Sequence, residues 1–238
     1  MILYYIRHGD PIYDPDSLTP LGHEQAKALA KRLTMYGLNE IYVSTSNRAK
    51  QTAQPTCNAL GISPTLCPWA EEGNCWKNYA LKCEDGVYRW GFHDDHTIEK
   101  FHLQSVRTLG ETWYTHPAFR ETNYAIGVQE TNASVDSFFR TLGLEHERES
   151  GRYRIIEKND KRIALFAHQG FGIAFLSSVL DIPYPLFCTH FDMGHSSMTV
   201  INFEERNGYA YAKTLQLSND SHLYKEGILT GYQNTLDI

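Results

Sequence analysis

The sequence contains no apolar run that approaches the ~20 residues needed to cross a membrane as a helix. It opens on Met-Ile-Leu-Tyr-Tyr-Ile-Arg, which has neither a basic leader nor a cleavage site for a signal peptidase. An excess of one charge is also absent, since 22 Lys and Arg against 28 Asp and Glu leave a formal charge of −6. Such a weak acidic balance provides no overall field for nucleic acid or anionic lipid. We therefore expect a cytoplasmic protein without nucleic-acid or membrane partners.

Cysteine is infrequent, and its spacing argues against both zinc and disulfides. None of the five cysteines has another two residues away, so the paired knuckles of a zinc site are missing. An odd number of cysteines argues against a disulfide framework. The segment His93-Asp94-Asp95-His96 has metal-ligand residue types, but it offers no obvious third ligand and is more typical of a polar surface. We expect free thiols, no metal and no cofactor.

The composition of the 238-residue chain is that of a folded domain, because 42% of its residues are hydrophobic and 13% are aromatic. Apolar runs predict strands at Ile2 to Ile6, Glu40 to Val43, Arg152 to Glu157, Arg162 to Ala167, Ser197 to Phe203 and Tyr209 to Leu217. Helices are predicted from Thr19-Pro20 to Gly37, from Ser46 to Leu60 and from Gly170 to Leu180, with Pro55 kinking or shortening the second. This alternation predicts an α/β fold with a mainly parallel sheet and helices on both faces.

The middle of the chain has a different character. Periodicity is poor from about 77 to 129, and all four tryptophans lie within 45 residues. We predict one domain over 1–238 with an inserted helical cap at about 77–129 over one end of the sheet. The tryptophans either line a substrate pocket or form the small core of the cap. Five basic residues of the cap either meet a second anionic group of a substrate or lie in solvent: Lys77, Lys82, Arg89, Arg107 and Arg120.

Three groups of candidate functional residues each follow a predicted strand. They are Arg7-His8-Gly9, Ser44 to Arg48, and His168-Gln169-Gly170. In open α/β sheets, ligands bind outside the carboxyl ends of the strands, so we expect the three segments to meet in one pocket rich in Arg and His.

These residue types suit a phosphoryl group. A neutral imidazole such as that of His8 is a nucleophile toward phosphorus, and Arg7 beside it presents a fork of donors to phosphoryl oxygens. Gly9 lacks a Cβ and would let the backbone pass close to a phosphate. Arg48 lies in the first turn of a predicted helix, where the helix terminus already favours anions. His168 closes a buried strand and must find partners, of which a phosphate is one.

The chain resembles the histidine phosphatase superfamily, in its phosphoglycerate mutase-like branch. The resemblance is carried, in the family order, by four segments: Ile6-Arg7-His8-Gly9, Leu18 to Ala26, Ser44 to Ala53, and Phe166-Ala167-His168-Gln169-Gly170. It implies a phosphoglycerate mutase-like fold and a phosphohistidine mechanism without metal. His8 would be the nucleophile, and the phosphoryl group would be held by Arg7, Arg48 and His168, with Gln169 as a further phosphate-binding residue.

The resemblance also implies an acidic residue that protonates the leaving oxygen. A count from the helix end at Ala59-Leu60-Gly61 reaches Glu71 and Glu72, and Glu72 fits the spacing better. We therefore expect a phosphomonoester hydrolase acting on a small phosphorylated metabolite. One alternative is a phosphoglycerate mutase-type transferase, but only nine residues separate Gly9 from Thr19, where family mutases have a longer segment. The other is a non-catalytic module that binds phosphorylated ligands. The sequence carries no signal for an oligomeric state.

Overall fold

A mixed eight-stranded sheet runs through the centre of the computed structural model, which describes residues 1–231. The strands are β1 (Ile2–Arg7), β2 (Pro11–Tyr13), β3 (Asp16–Leu18), β4 (Glu40–Ser44), β5 (Thr65–Cys67), β6 (Ala80–Lys82), β7 (Tyr88–Trp90), β8 (Leu144–Glu147), β9 (Arg152–Ile155), β10 (Arg162–Ala167), β11 (Met198–Arg206) and β12 (Tyr209–Asn219). The sheet order is β5-β4-β10-β1-β11-β12-β9-β8, and β2–β3 and β6–β7 form separate hairpins. The first four strands of the sheet are parallel and the following pairs are antiparallel, so six of the eight strands share one direction. The predicted α/β class with a mainly parallel sheet is confirmed.

Helices cover both faces of this sheet, as predicted. They are α1 (Pro20–Tyr36), α2 (Asn47–Leu60), α3 (Glu72–Tyr79), α4 (Asp95–His102), α5 (Gln104–Arg107), α6 (Tyr124–Thr141), α7 (Gln169–Leu180), α8 (Tyr184–His190) and α9 (Ser221–Lys225). On one face, Leu29 of α1 and Ala53 of α2 pack with Ile6 of β1. On the other, Phe139 of α6 and Phe175 of α7 pack with residues of β1 and β10. In the described part of the chain, no helix has the length and apolar character to cross a membrane.

The helix boundaries follow the local signals, with one exception. Thr19 caps α1 by accepting a hydrogen bond of 3.0 Å from the amide of Gly22, and Ser46 caps α2 in the same way. Gly37 and Gly61 end these helices at positive φ. Of the two effects expected of Pro55, shortening of α2 is wrong, because the helix continues to Leu60, and a kink stays a prediction. A proline removes one helical hydrogen bond, and here the buried face of α2 against the sheet and α1 outweighs that loss.

The chain between β5 and α6 lies outside the sheet and is built of short pieces. It contains α3, the β6–β7 hairpin, α4, α5 and several 3₁₀ turns, so it is less purely helical than the sequence predicts. Trp113 is buried among Phe101, Phe119 and Tyr124, which makes it a core residue of this region. All five cysteines are free, as predicted.

Candidate active site

Three strands of the parallel half of the sheet place their carboxyl ends around one pocket. Arg7 ends β1 and His8 follows it, Arg48 lies in the first turn of α2 after β4, and His168 follows β10. The rings of His8 and His168 lie 5.3 Å apart, measured between centroids. Glu72, the first residue of α3, completes the group, since one atom each from His8, Glu72 and His168 lie within 4.8 Å of one another. Residues distant in sequence thus meet because β4, β10 and β1 are neighbours.

The hydrogen bonding of His8 leaves the lone pair of one ring nitrogen free. Its Nδ1 lies 2.7 Å from the carbonyl oxygen of Gly9, which can only accept, so Nδ1 carries the proton and Nε2 keeps its lone pair. The side chain is almost fully buried. Burial and the neighbouring His168 hold the pKa of His8 well below the ordinary value of histidine. At neutral pH the ring is therefore uncharged and nucleophilic.

His168 is held on two sides and has one unpartnered nitrogen. Its backbone carbonyl accepts a hydrogen bond of 2.6 Å from the hydroxyl of Tyr5, and its Nε2 lies 2.8 Å from Ser44 Oγ. Its Nδ1 is buried, has no hydrogen-bond partner among the described residues, and lies 3.7 Å from Glu72 Oε2. Burial, and then the charges of Arg48 and Arg7, lower the pKa of His168 well below its ordinary value. A bound anion would favour the protonated form of this ring.

The two arginines are fixed by their outer nitrogens. Arg48 donates to Asp16 Oδ1 at 2.8 Å and to Glu72 Oε2 at 3.1 Å. Arg7 donates to the carbonyl oxygen of Met193 and, at 2.7 Å, to His195 Nε2. The Nε–H groups of both arginines are buried without a partner in residues 1–231. Buried donors of this kind need an acceptor, and phosphoryl oxygens match them.

Glu71 and Glu72 take different places in the pocket. Glu71 accepts hydrogen bonds from the hydroxyls of Ser44 and Thr45 at 3.2 and 3.0 Å. Glu72 accepts a hydrogen bond of 3.0 Å from the amide of Gly170 and lies beside the two histidines. Burial raises the pKa of Glu72, although Arg48, the Gly170 amide and Arg7 oppose the shift. Of the two carboxyl groups, it is that of Glu72 that faces His8 and His168.

Gly170 connects this carboxyl group to the hairpin of the predicted cap. A Cβ on Gly170 would lie 2.3 Å from the ring of Trp90 in β7, whereas a Cβ on Gly73 of α3 would meet nothing within 4 Å. We expect Gly170→Ala to displace either Trp90 or the start of α7, and with it the amide that holds Glu72. The phosphate release that the sequence leads us to expect should fall about tenfold or more, since small displacements at reacting groups are costly. Gly73→Ala, next to Glu72, is the matched control. Similar activity in the two variants would contradict this coupling.

Gln169 and Gly9 have contacts that the sequence does not indicate. Gln169 donates through its amide nitrogen to Asp192 Oδ1 at 2.5 Å, so its side chain is bound to a loop residue rather than held free. A Cβ on Gly9 would lie 2.8 Å from the carbonyl oxygen of Gly22. The close packing of α1 on this turn therefore requires a glycine, whether or not a phosphate also approaches it.

Three further residues of the site escape sequence reasoning. Asp16, in the β2–β3 hairpin, binds the amide of Asn47 as well as Arg48. Thr52 accepts a hydrogen bond of 3.0 Å from the amide of Gly9. His195 contacts Arg7, and its ring is stacked 5.8 Å from that of His8. Asp16 and His195 lie outside the segments that the sequence singles out, and Thr52 lies within the segment Ser44 to Ala53 without a signal of its own for this contact.

The basic residues of the predicted cap have surface positions. Lys77 Nζ lies 3.7 Å from Glu130 Oε2, and Arg89 forms an ion pair with Asp85. The remaining three are exposed: Lys82, Arg107 and Arg120. In the His93–His96 segment, Asp94 caps α4 by accepting from the amide of Thr97 at 3.0 Å. Among the described residues, the only set of His, Cys, Asp or Glu side chains with the geometry of a metal site is His8, Glu72 and His168.

The chain thus combines a mixed α/β fold with two histidines, two arginines and a carboxyl group at the carboxyl ends of its parallel strands. Residues 3–79 match the family model of the histidine phosphatase superfamily (branch 1), which confirms the resemblance seen in the sequence. The matched segment contains four of the residues predicted for the site, Arg7, His8, Arg48 and Glu72.

Solved structures share the fold across nearly the whole chain. A mutant phosphoserine phosphatase of Entamoeba histolytica, in complex with phosphoserine, is 16% identical with a TM-score of 0.59, and the match covers 93% of this chain and 98% of that one. A mycobacterial glucosyl-3-phosphoglycerate phosphatase with inorganic phosphate is 18% identical with a TM-score of 0.58, over 93% and 98% of the two chains. Curated proteins give no significant sequence match.

Proposed function

We propose that this protein is a phosphomonoester hydrolase that acts on a small phosphorylated metabolite through a phosphohistidine intermediate. The observation that carries the proposal is the set of three buried, unpartnered nitrogens around the uncharged His8 ring: Arg7 Nε, Arg48 Nε and His168 Nδ1. Together they suit the oxygens of a phosphoryl group placed against His8. Supporting it, the structural neighbours include phosphatases for phosphoserine and for glucosyl-3-phosphoglycerate.

In the first step, His8 Nε2 attacks phosphorus in line with the leaving oxygen. A bond from nitrogen to phosphorus forms as the bond to the ester oxygen breaks. Arg7, Arg48 and His168 neutralise the charge on the phosphoryl oxygens. Glu72 in its protonated form donates a proton to the departing alkoxide, and its raised pKa assists this role.

In the second step, water hydrolyses the phosphohistidine. Glu72, now a carboxylate, removes a proton from the attacking water, and the nitrogen–phosphorus bond breaks to release inorganic phosphate and His8. The carboxyl group and the ring thus return to their starting protonation states.

A phosphate-release screen tests the proposal. Purified protein is incubated with p-nitrophenyl phosphate and with sugar phosphates, nucleotides and phosphoamino acids, and free phosphate is measured. We expect turnover of p-nitrophenyl phosphate and selectivity among the metabolites. Binding of these compounds without phosphate release would favour a non-catalytic module, and transfer of the phosphoryl group to a sugar acid in place of water would favour a mutase.

We further predict that catalysis needs no metal ion. Arg7 and Arg48 lie beside the trio of His8, Glu72 and His168, and their two positive charges oppose a cation while supplying the charge that a metal would. Phosphate release should be unchanged after incubation with EDTA and dialysis. A loss that added Mg²⁺, Mn²⁺ or Zn²⁺ reverses would contradict the prediction.

A further inference from the structure

The loop before β11 places a third histidine at the edge of the proposed phosphoryl site. His195 is partly buried, and its ring is nearly parallel to that of His8, at 29° and 5.8 Å between centroids. Its two nitrogens have different neighbours. Nε2 lies 2.7 Å from Arg7 Nη2, and Nδ1 lies 3.4 Å from Asp10 Oδ1.

These contacts determine where the proton on His195 resides. A guanidinium can only donate, so Nε2 of His195 must be an acceptor and its Nδ1 must carry the hydrogen. Nδ1–H then faces the carboxylate of Asp10, which is the arrangement that favours this tautomer. Burial and the charge of Arg7 lower the pKa of His195 to about 4, while Asp10 and Asp192 oppose the shift. The ring is therefore neutral near pH 7, as an acceptor for Arg7 requires.

Asp10 is itself fixed. Its Oδ2 accepts a hydrogen bond of 2.7 Å from Thr19 Oγ1, the side chain that caps α1, and its amide donates to Gln25 at 2.8 Å. The first turn of α1 thus anchors Asp10, Asp10 faces His195, and His195 accepts from Arg7.

Arg7 depends on this series of contacts for its orientation. Its Nη1 donates one hydrogen to the carbonyl oxygen of Met193 and its Nη2 donates one to His195 Nε2, while its Nε–H is buried without a partner among the described residues. We propose that His195 is a positioning residue, which, backed by Asp10, orients the Arg7 guanidinium toward the phosphoryl group. This inference rests on the proposed function, because it assigns the phosphoryl group as the partner of Arg7.

Two variants of His195 distinguish a role in orienting Arg7 from a role in packing against His8. His195→Phe keeps an aromatic ring against His8 but removes the acceptor. His195→Gln places an amide oxygen near the position of Nε2 and restores it. Loss of a hydrogen bond to a charged group predicts a fall of about tenfold to a hundredfold in kcat on p-nitrophenyl phosphate for the Phe variant, with weaker inhibition by vanadate to a similar extent. KM should rise as well, because Arg7 also holds the phosphoryl group of the bound substrate, and the Gln variant should come within about threefold of wild type in both constants.

Combination with arginine variants gives the decisive result. In an Arg7→Ala background, His195→Phe should cause little further loss, whereas in an Arg48→Ala background the two losses should multiply. Wild-type behaviour of His195→Phe, failure of Gln to rescue, or equal losses in the two backgrounds would each overturn the inference. Should His195→Phe fail to fold, Asp10→Asn, which weakens the hold on Nδ1, replaces it in the same two backgrounds.

The binding of inorganic phosphate, measured by calorimetry, separates this inference from the proposed function. Should the wild-type protein release no phosphate, the proposed function fails, and weaker phosphate binding by His195→Phe would still support the positioning of Arg7. Should the wild type be active while phosphate binds both proteins equally, the inference alone fails.

Discussion

His8→Ala is expected to abolish phosphate release while the protein stays folded. The ring supplies the nucleophile, and removal of a nucleophile typically costs several orders of magnitude, about 10⁴-fold or more in kcat. The cavity left by a buried imidazole lowers stability by a modest amount, which thermal unfolding measures. His23→Ala is the control, because His23 is an exposed histidine on α1.

Two further measurements connect the loss of activity to chemistry at His8. Rapid quenching of the wild type with ³²P-labelled substrate should trap a phosphoryl adduct that is stable in alkali and labile in acid, as a nitrogen–phosphorus bond is, and His8→Ala should give none. Added imidazole should restore part of the activity of the variant. If His8→Ala keeps most of its activity or still forms the adduct, the nucleophile lies elsewhere.

Glu72→Gln is expected to distinguish substrates by their leaving groups. An alkoxide is a poor leaving group unless it is protonated, whereas p-nitrophenolate leaves with little help. The variant should therefore slow the hydrolysis of an alkyl phosphate by about 10²- to 10⁴-fold, the range for general acid catalysis, and that of p-nitrophenyl phosphate far less. Steady-state rates on both substrates measure the difference.

The neighbouring carboxyl group is the matched control. Glu71→Gln weakens acceptors for the Ser44 and Thr45 hydroxyls, and we expect it to affect both substrates to a similar and smaller extent. Equal slowing of both substrates by Glu72→Gln, or none, would remove Glu72 from the role of acid. A leaving-group dependence in Glu71→Gln would assign that role to Glu71.

The pH dependence of alkyl phosphate hydrolysis by the wild type follows from the Glu72 carboxyl group. Burial raises the pKa of Glu72, so the carboxyl group stays protonated to a higher pH than an exposed glutamate. Hydrolysis of the alkyl phosphate should decline as the pH rises through this raised pKa, because the acid form is lost. In Glu72→Gln this decline should be absent.

The sequence by itself determined the parts of the site that follow a strand or begin a helix. Period and capping signals placed the end of β1 at Ile6, one residue before its observed end at Arg7, the start of α2 before Arg48 and the end of β10 before His168. These signals are local, since a buried strand, an N-cap and a C-terminal glycine each depend on a few neighbouring residues. The common edge of parallel strands then predicted that the three would meet.

Only the tertiary structure decided which residues contact Arg7, Arg48 and His168 in the site. Glu72 faces the histidines and Glu71 does not, and α3 begins between them. The count along the chain favours Glu72 by its spacing but carries no information on the direction of either side chain. His195 reaches Arg7 because β11 pairs with β1 in an antiparallel register that sets Met198 opposite Ile6. The register of two strands nearly two hundred residues apart depends on the packing of the whole sheet, and a single sequence carries no local signal for it.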